Sequence, residues 1–491
     1  MKLLQVLSQL DSSTHSRLKK YFSSPYFGID PIQSTLINIL INAISEKKNI
    51  SKEKIWSDLS LKNPYSDEGL RLILTKTLSN LINFFSIEEL KKNKTSIYKN
   101  AIDHLTDKNI TILHNRLTKS IEKELKNEKV LSGKELYNIF SSLRRVVDVK
   151  DNFERKKKLT EEAEFKENLL KINSLLDSFY FIEKIRISLI LNNLTFITEE
   201  QLTNFNNTIL EQLYDQGFVS NNVLAQTYNQ TYKLVNSNSK FQIVQDEIFD
   251  VLELISKKHS VEAFEIYDTL YNYYVRLGNQ GFDVQSDLFA LFQFGLSTRL
   301  LLKKDQIDPT DFRNIVLISC RMEEYEWALN FIEDHKILLS EDYRQSAYSF
   351  SKARIFNNMG NHEGVVDVLR NVEYEDITYN LNSRLLLIAA FYELDEYDIL
   401  ESTIKALKVF LRRKRNVSVK RKANFRDFCD VVYNLMKAGD RKDPSRITKA
   451  TEIMDTNKGI PSSWWLKEKI AEVSQVLGIK PEEAQGQDHS S

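Results

Sequence analysis

Ten basic residues lie close together in one segment of this chain, from Lys405 to Arg426. The segment contains no Asp or Glu, whereas other charged stretches of the sequence mix both signs. Its cations cannot neutralise one another locally, so they must be solvated, paired with acids elsewhere, or used to bind an anionic partner. The candidate residues for an anionic partner are Lys405, Lys408, Arg412, Arg413, Lys414, Arg415, Lys420, Arg421, Lys422 and Arg426.

A structural explanation accounts for part of this bias. The run from Arg412 to Arg415 is predicted to lie at a helix C-terminus, where cations interact favourably with the helix dipole. Two interpretations of the segment therefore remain: its cations have a structural role, or they bind an anionic partner.

Other residue types do not combine into a recognisable catalytic or metal motif. The sequence has neither a Gly-rich phosphate loop followed by Lys nor a His-Glu-x-x-His helix. The seven histidines are scattered, and the ten-residue spacing of His104 and His114 suits no common ligand helix. A Ser-His-Asp arrangement assembles only in the fold, and no nucleophile motif supports one. We therefore predict no catalytic residue, no cofactor and no metal site, and we do not expect a small-molecule substrate.

The composition predicts an all-α protein. Only 13 Gly and 7 Pro interrupt the 491 residues, and both residue types are costly inside helices.

Lys and Arg total 68, as do Asp and Glu, so the whole molecule has no net field that would attract nucleic acid or an anionic membrane. The two cysteines, Cys320 and Cys429, lie in apolar helical stretches and are predicted to be buried thiols in a reducing compartment.

One helix-turn-helix pattern recurs between Cys320 and Arg413. Its turns contain Tyr325, His362 and Tyr397, at intervals of 37 and 35 residues, which suits two helices and two short turns. Each turn is followed by a residue predicted on the helix-helix contact and by an apolar residue four positions later, on the same helical face. These pairs are Ala328 and Ile332, Val365 and Leu369, and Leu400 and Ile404.

These features resemble degenerate tetratricopeptide repeats over roughly 281–413. The resemblance implies a stacked helical scaffold and no particular ligand. Two features depart from the family pattern. The usual small residue of the first helix is replaced by Val316 and Ile388 in two of the three repeats, with Ala353 in the other, and the proline that commonly ends a repeat is missing. A non-repetitive helical bundle with chance spacing is the alternative.

A second resemblance rests on three separated motifs. They are Ser24-Pro25-Tyr26-Phe27, Arg412-Arg413-Lys414-Arg415 and Trp465-Leu466-Lys467-Glu468-Lys469-Ile470. Together they are similar to a group of bacterial helical-repeat proteins of unassigned function. This resemblance transfers no catalytic residue.

The chain is predicted to comprise five segments: an N-terminal helical module at 1–95, a helical-hairpin region at 96–260, tetratricopeptide-like repeats ending in the basic segment at 261–440, a C-terminal cap at 441–480 and a disordered tail at 481–491. The cap contains Trp464 and Trp465, which suit the exposed end of a solenoid. The module could instead be a helix-turn-helix reader of DNA, although the helix that would enter the groove has few cations, mainly Arg71 and Lys76. The apolar stretch from Leu175 to Leu194 is predicted to be buried between neighbours.

The start of the chain shows no export signal, and no apolar run approaches the roughly 20 residues of a membrane-spanning helix. We therefore expect no membrane insertion and a cytoplasmic location.

The predicted function is a noncatalytic scaffold or adaptor that binds a protein or peptide along the helical-repeat surface. The alternative is a nucleic-acid-binding regulator that uses the basic segment, the N-terminal module, or both.

Overall fold

The described part of the chain is almost entirely helical. The structure is a computed structural model, and it describes residues 1–61, 63–108, 110, 112–127, 130–153, 159–198, 222–236, 242–303, 305–370, 376–415 and 417–478. Among these residues the β structure is one short antiparallel pair, β1 (Leu302–Lys303) and β2 (Gln306–Ile307). The prediction of an all-α protein is confirmed. No helix in the described ranges combines the length and hydropathy needed to cross a bilayer.

The chain divides into two compact units, Met1–Asn192 with Gln201–Asn229, and Asn193–Glu200 with Gln230–Ser491. The division into five segments stays a prediction, and the tail at 481–491 lies outside the described residues. The helices that begin in the first unit are α1 (Lys2–Leu7), α2 (Ser12–Phe22), α3 (Pro31–Ser45), α4 (Lys52–Asp58), α5 (Asp67–Lys92), α6 (Lys94–Asp107), α7 (His114–Asn127), α8 (Gly133–Phe153), α9 (Leu159–Thr198) and α10 (Val223–Asn236).

Side-chain caps start the early helices of the first unit. The carboxylate of Asp30 accepts a hydrogen bond from the backbone N–H of Ile32, and Pro31 occupies the first helical position of α3. Ser51 and Ser66 cap α4 and α5 in the same way. The helices then bury one continuous apolar cluster, which includes the fully enclosed Leu36, Leu40 and Leu70.

Helix α9 departs from its predicted environment. One face is buried as expected, with Ile182 and Ile185 fully enclosed. The opposite face is not, because Leu176, Ile187 and Ile190 are 42%, 49% and 47% exposed. The prediction that this stretch is buried between neighbours is wrong for that face, since the apolar content of a helix does not fix how many helices surround it.

The second unit continues the helical chain with short connections. Its further helices are α11 (Gln242–Ser256), α12 (Ser260–Asn279), α13 (Gln285–Ser297), α14 (Pro309–Arg321), α15 (Tyr325–His335), α16 (Glu341–Asn358), α17 (His362–Leu369), α18 (Ile377–Glu393), α19 (Tyr397–Arg413), α20 (Val419–Arg441), α21 (Pro444–Thr456) and α22 (Ser463–Val476). From α11 to α22 each helix packs on the next one, which is the arrangement expected from short turns.

The three recurring turns share one backbone geometry. Glu323, Gly360 and Asp395 are left-handed, with φ of 59°, 73° and 56°. In each turn the next residue donates its N–H to the carbonyl oxygen five positions earlier, which satisfies an otherwise unpaired helix-end carbonyl. These bonds run from Glu324 to Ser319 at 2.9 Å, from Asn361 to Phe356 at 2.9 Å, and from Glu396 to Phe391 at 3.0 Å. The same local device therefore joins α14 to α15, α16 to α17, and α18 to α19.

The contact residues predicted from the repeat pattern are all buried. Ala328, Val365 and Leu400 have no exposed surface, and the apolar residues four positions later are at most 3% exposed. The mid-helix residues Val316, Ala353 and Ile388 are also fully buried. The spacing thus located the inner face of each hairpin correctly.

The first helices of successive hairpins also pack on one another. Helix α14 contacts α16, and α16 contacts α18. At one end of this row, the Tyr379 hydroxyl of α18 donates to the Pro309 carbonyl of α14 at 3.2 Å. The Tyr379 ring also packs edge-on against Phe350 of α16, with 5.5 Å between ring centroids. The three first helices therefore form one layer.

The last helix covers the end of this unit with one of its two tryptophans. Trp465 is buried between Tyr392 and Phe428, at centroid distances of 5.7 and 6.1 Å. Trp464 is 65% exposed. Trp465 therefore packs α22 on the rest of the unit, whereas Trp464 does not, and the predicted C-terminal cap stays a prediction.

Candidate functional site

The predicted basic segment forms the end of α19, a short connection and the start of α20. Helix α19 ends at Arg413, as the sequence predicts for the Arg412–Arg415 run. Val417 is buried and fixes the connection against the core. The Ser418 hydroxyl then caps α20 by accepting from the backbone N–H of Arg421 at 3.3 Å.

Four of the ten predicted site residues interact within the protein. Lys405 forms an ion pair with Glu401 at 2.8 Å, and Lys408 donates to the Asp430 carboxylate. Two further cations lie over aromatic rings, which stabilises them by cation–π attraction. These pairs are Lys414 over Phe410, at 5.3 Å from the ring centroid, and Arg421 over Phe425, at 5.7 Å.

The remaining cations have no carboxylate among the described residues within 4.0 Å. Lys422 is half-buried, and the others are exposed. We call the exposed, unpaired residues the basic surface. It comprises Arg412, Arg413, Arg415, Lys420 and Arg426.

Helix electrostatics explain only part of the basic surface. Arg412 and Arg413 occupy the last turn of α19, where the helix dipole favours a cation. Lys420 lies in the first turn of α20, which contains no acid, and there the same dipole disfavours a cation by about 0.3 to 1 kcal/mol. The free backbone N–H groups of a helix start, together with unpaired cations, suit a phosphate or carboxylate.

The N-terminal module offers less for an anionic partner. Of the two cations named on its longest helix, α5, Arg71 pairs with Asp67 at 3.0 Å. Lys76 is exposed. Exposed Leu72 and Ile82 also lie on this helix, and they provide no hydrogen bond to a base or phosphate.

A second polar region links α12 to the first helix α14. The amide of Asn314 on α14 donates to the Tyr271 hydroxyl of α12 at 3.1 Å. Tyr273, on the same helix as Tyr271, is buried in the core. Burial raises the pKa of the Tyr271 hydroxyl, and the negative charges of the Asp311 and Asp268 carboxylates raise it further.

Both carboxylates are partly enclosed, which changes their acidity. Burial raises the pKa of Asp311 to about 6, and the nearby Asp308 carboxylate adds to the shift. Burial also raises the pKa of Asp268. Neither carboxylate has a cation within 4.0 Å in the described part of the chain. Such groups are common at functional sites, because burial of an unpaired carboxyl opposes stability.

Both cysteines and His114 lie in buried positions. Both thiols are buried, and burial raises the pKa of Cys320 to about 11 and of Cys429 to about 12, so both are protonated at neutral pH. His114 is buried with its Nε2 at 3.4 Å from the Thr106 hydroxyl. Within the ranges that the structure describes, no group of three or more His, Cys, Asp or Glu residues could hold a metal ion.

Comparison of this chain with protein families, with curated proteins and with solved structures finds no match. The two resemblances proposed from the sequence therefore stay predictions.

Proposed function

We propose that this protein is a noncatalytic scaffold that binds a protein or peptide along the first helices of a tetratricopeptide-like repeat. The observation that carries the proposal is the recurrence of one turn geometry at Glu323, Gly360 and Asp395. Repetition of a hairpin places equivalent positions of successive first helices side by side. Such a layer suits an extended partner, because repeats build long surfaces from similar units.

The chemistry of the layer supports recognition more than core packing. Two half-buried polar groups lie on its first helix, α14: Asn314, which donates to Tyr271 of α12, and the raised-pKa carboxyl of Asp311. Interfaces of this kind combine aromatic and apolar contacts with a few fixed polar groups, which set the orientation of the partner.

Site-specific photo-crosslinking in the full-length protein tests this function. A photoreactive amino acid at Arg321 or Asn358 probes equivalent exposed positions, each two residues before a left-handed turn residue. A matched control carries it at Asp367, an exposed position on α17, the second helix of a hairpin. After nuclease treatment of the native cell extract, we expect a shared protein adduct at the two first-helix positions and not at the control. Equal labelling at all three positions, or no adduct, would reject the proposal.

A second candidate function, binding of nucleic acid, is favoured by one specific observation. Lys420 is exposed, lacks an acid partner among the described residues, and occupies a helix position that opposes its charge. A cation kept at an unfavourable position suits a functional role better than a structural one. Salt-dependent binding of generic DNA or RNA to the full-length protein tests this function.

A further inference from the structure

The exposed side of helix α9 is apolar, which is unusual for the surface of a helix. Seven residues between 169 and 190 are exposed, and six of them are apolar. On α5, by contrast, polar and charged residues form most of the exposed side, and Leu72 and Ile82 are the apolar exceptions. A contiguous exposed apolar strip marks a surface that another molecule covers. The six apolar residues are Leu169, Leu170, Leu176, Tyr180, Ile187 and Ile190, and the seventh exposed residue is Asn173.

The spacing along this strip is that of a coiled-coil seam. Positions 169, 173, 176, 180, 183, 187 and 190 are separated by alternating steps of four and three residues, which keeps them on one face of the helix. We call these seven positions the α9 seam. Asn173 and Glu183 are its polar residues, and the other five are apolar. The seam is about 32 Å long at the rise of an α-helix, so a second helix fits along it.

The order of residues in the α9 seam complements a second copy that runs in the opposite direction. An antiparallel pair centred between Phe181 and Ile182 brings Leu176 of one copy opposite Ile187 of the other. It also brings Tyr180 opposite Glu183, so that the phenol can donate to the carboxylate. Each contact occurs twice, because a two-fold axis relates the copies.

Charged side chains beside the seam favour the antiparallel orientation. Asp177 and Lys184 are two helical turns apart on the same edge of the seam. In the antiparallel pair Asp177 of each copy lies next to Lys184 of the other, so opposite charges meet twice. A parallel pair would instead bring Glu183 against Glu183 of the second copy, where like charges repel.

The remaining polar groups of the seam have partners within their own helix. Asn173 donates to the Asp177 carboxylate at 3.1 Å, which satisfies one amide hydrogen where Asn173 faces Ile190 of the second copy. Glu183 accepts from Arg186 at 3.0 Å. A second copy therefore covers this face without leaving either group unsatisfied.

From this arrangement we infer that the protein forms an antiparallel homodimer through the α9 seam. The seam belongs to the first unit and the repeated hairpins to the second, so the inference does not rest on the scaffold function. The interface is one helix wide and smaller than the roughly 800 Å² that each partner buries in a standard complex. We therefore expect a reversible dimer with a dissociation constant on the order of micromolar.

Sedimentation velocity of the full-length protein, from about 1 to 100 μM, brackets such a dissociation constant. We expect the mass to rise from monomer to dimer over this range. Ile187→Lys, in the seam, should stay monomeric, whereas the matched control Leu72→Lys, at an exposed residue of α5, should dimerise as the unchanged protein does. An unchanged protein that stays monomeric, or an Ile187→Lys variant that dimerises, would overturn the inference.

Thermal unfolding of dilute protein separates dimerisation from folding. Both lysine variants should keep the midpoint of the unchanged protein, because both positions are exposed. A midpoint lowered by several degrees for Ile187→Lys and not for Leu72→Lys would show that Ile187 packs within its own chain, and the inference would be wrong.

Disulfide crosslinking tests the orientation of the two copies. Leu176→Cys and Ile187→Cys face each other only in the antiparallel pair, so under mild oxidation their mixture should form more crosslinked dimer than either variant alone. The native Cys320 and Cys429 are buried and do not compete. Crosslinking of each variant with itself that equals or exceeds that of the mixture would exclude the antiparallel dimer.

A charge exchange tests the alignment of the copies. Asp177→Lys should weaken dimerisation at least about tenfold, because two like-charge contacts replace two attractive ones. The double variant with Asp177→Lys and Lys184→Asp should regain the affinity of the unchanged protein. A double variant that dimerises as weakly as Asp177→Lys alone would overturn the inferred pairing.

Discussion

The indole Nε1 of Trp465 donates a hydrogen bond to Glu393 Oε1 at 2.6 Å and thereby joins the last helix α22 to α18. The other oxygen of Glu393 accepts from Lys469 of α22 at 3.1 Å, so one carboxylate fixes the helix at two points. These two contacts hold α22 against α18.

We expect Trp465→Ala to lower the free energy of unfolding by about 3 to 5 kcal/mol, because a large buried ring is lost and the Glu393 carboxylate loses a donor. Trp464→Ala is the matched control and should change stability by less than about 0.5 kcal/mol, since Trp464 is exposed. Denaturant unfolding followed by circular dichroism gives both values. Equal effects of the two substitutions would contradict the assigned packing of α22.

The left-handed turn residues can be tested by one substitution that should destabilise the protein and one that should stabilise it. Gly360→Ala should destabilise the protein by about 1 kcal/mol, because its φ of 73° strains any residue with a Cβ. No atom lies within 4 Å of the position of that Cβ, so the cost is one of backbone conformation alone. Glu323→Gly, at the equivalent turn, should stabilise by about 0.5 to 1 kcal/mol. Thermal unfolding measures both, and effects of the same sign would show that the turns are not equivalent.

Asp311 should make stability depend on pH. Its folded-state pKa of about 6 lies above the ordinary aspartate value of 3.8, because the carboxyl is partly buried, so the folded state binds the proton more tightly than the unfolded state. Stability from this group is therefore fully present below about pH 4 and falls as the pH rises through 6. We expect Asp311→Asn to raise stability at pH 7 by about 1 to 2 kcal/mol, after allowance for partial exposure.

Urea unfolding at pH 4.5 and pH 7 checks this prediction, because the gain from Asp311→Asn should be smaller at the lower pH. The exposed Asp367→Asn serves as the control and should show no such difference between the two pH values. An equal gain from Asp311→Asn at both pH values would contradict the raised pKa.

The basic surface should affect binding more than folding. Replacement of its five residues, Arg412, Arg413, Arg415, Lys420 and Arg426, by Gln should leave the helical circular dichroism spectrum unchanged. Stability should change little, because exposed charges contribute about 0 to 1 kcal/mol each. If the surface binds nucleic acid, the variant should bind it more weakly, and the dependence of log K on log salt should flatten by about 0.7 to 0.9 for each lost phosphate contact.

Lys405→Gln is the matched control, since Lys405 is exposed but already paired with Glu401. It should retain the binding and the salt dependence of the unchanged protein. Unaltered binding in the multiple variant would remove nucleic acid as a function of this surface, and a large loss of stability would show that its cations are internal partners.

The sequence by itself determined the helices, their caps and the repeated turns of this protein. The Asp30 cap and the turn at Gly360 depend on hydrogen bonds between residues no more than five positions apart. Helical spacing likewise placed Ala328 and its equivalents on the buried face. Local rules suffice for such features, because both partners belong to one short stretch of chain.

Only the tertiary structure decided which polar groups find partners. Lys408 is neutralised by Asp430, which lies on the next helix, whereas Lys420 stays unpaired in the described chain. The buried Nε of Arg354 has no acceptor among the described residues, although the sequence around it resembles an ordinary charged helix. The exposed face of α9 was equally unpredictable from its apolar content. The physical reason is common to all these cases: pairing and burial depend on which helices become neighbours, and helix packing is set by contacts distant in sequence.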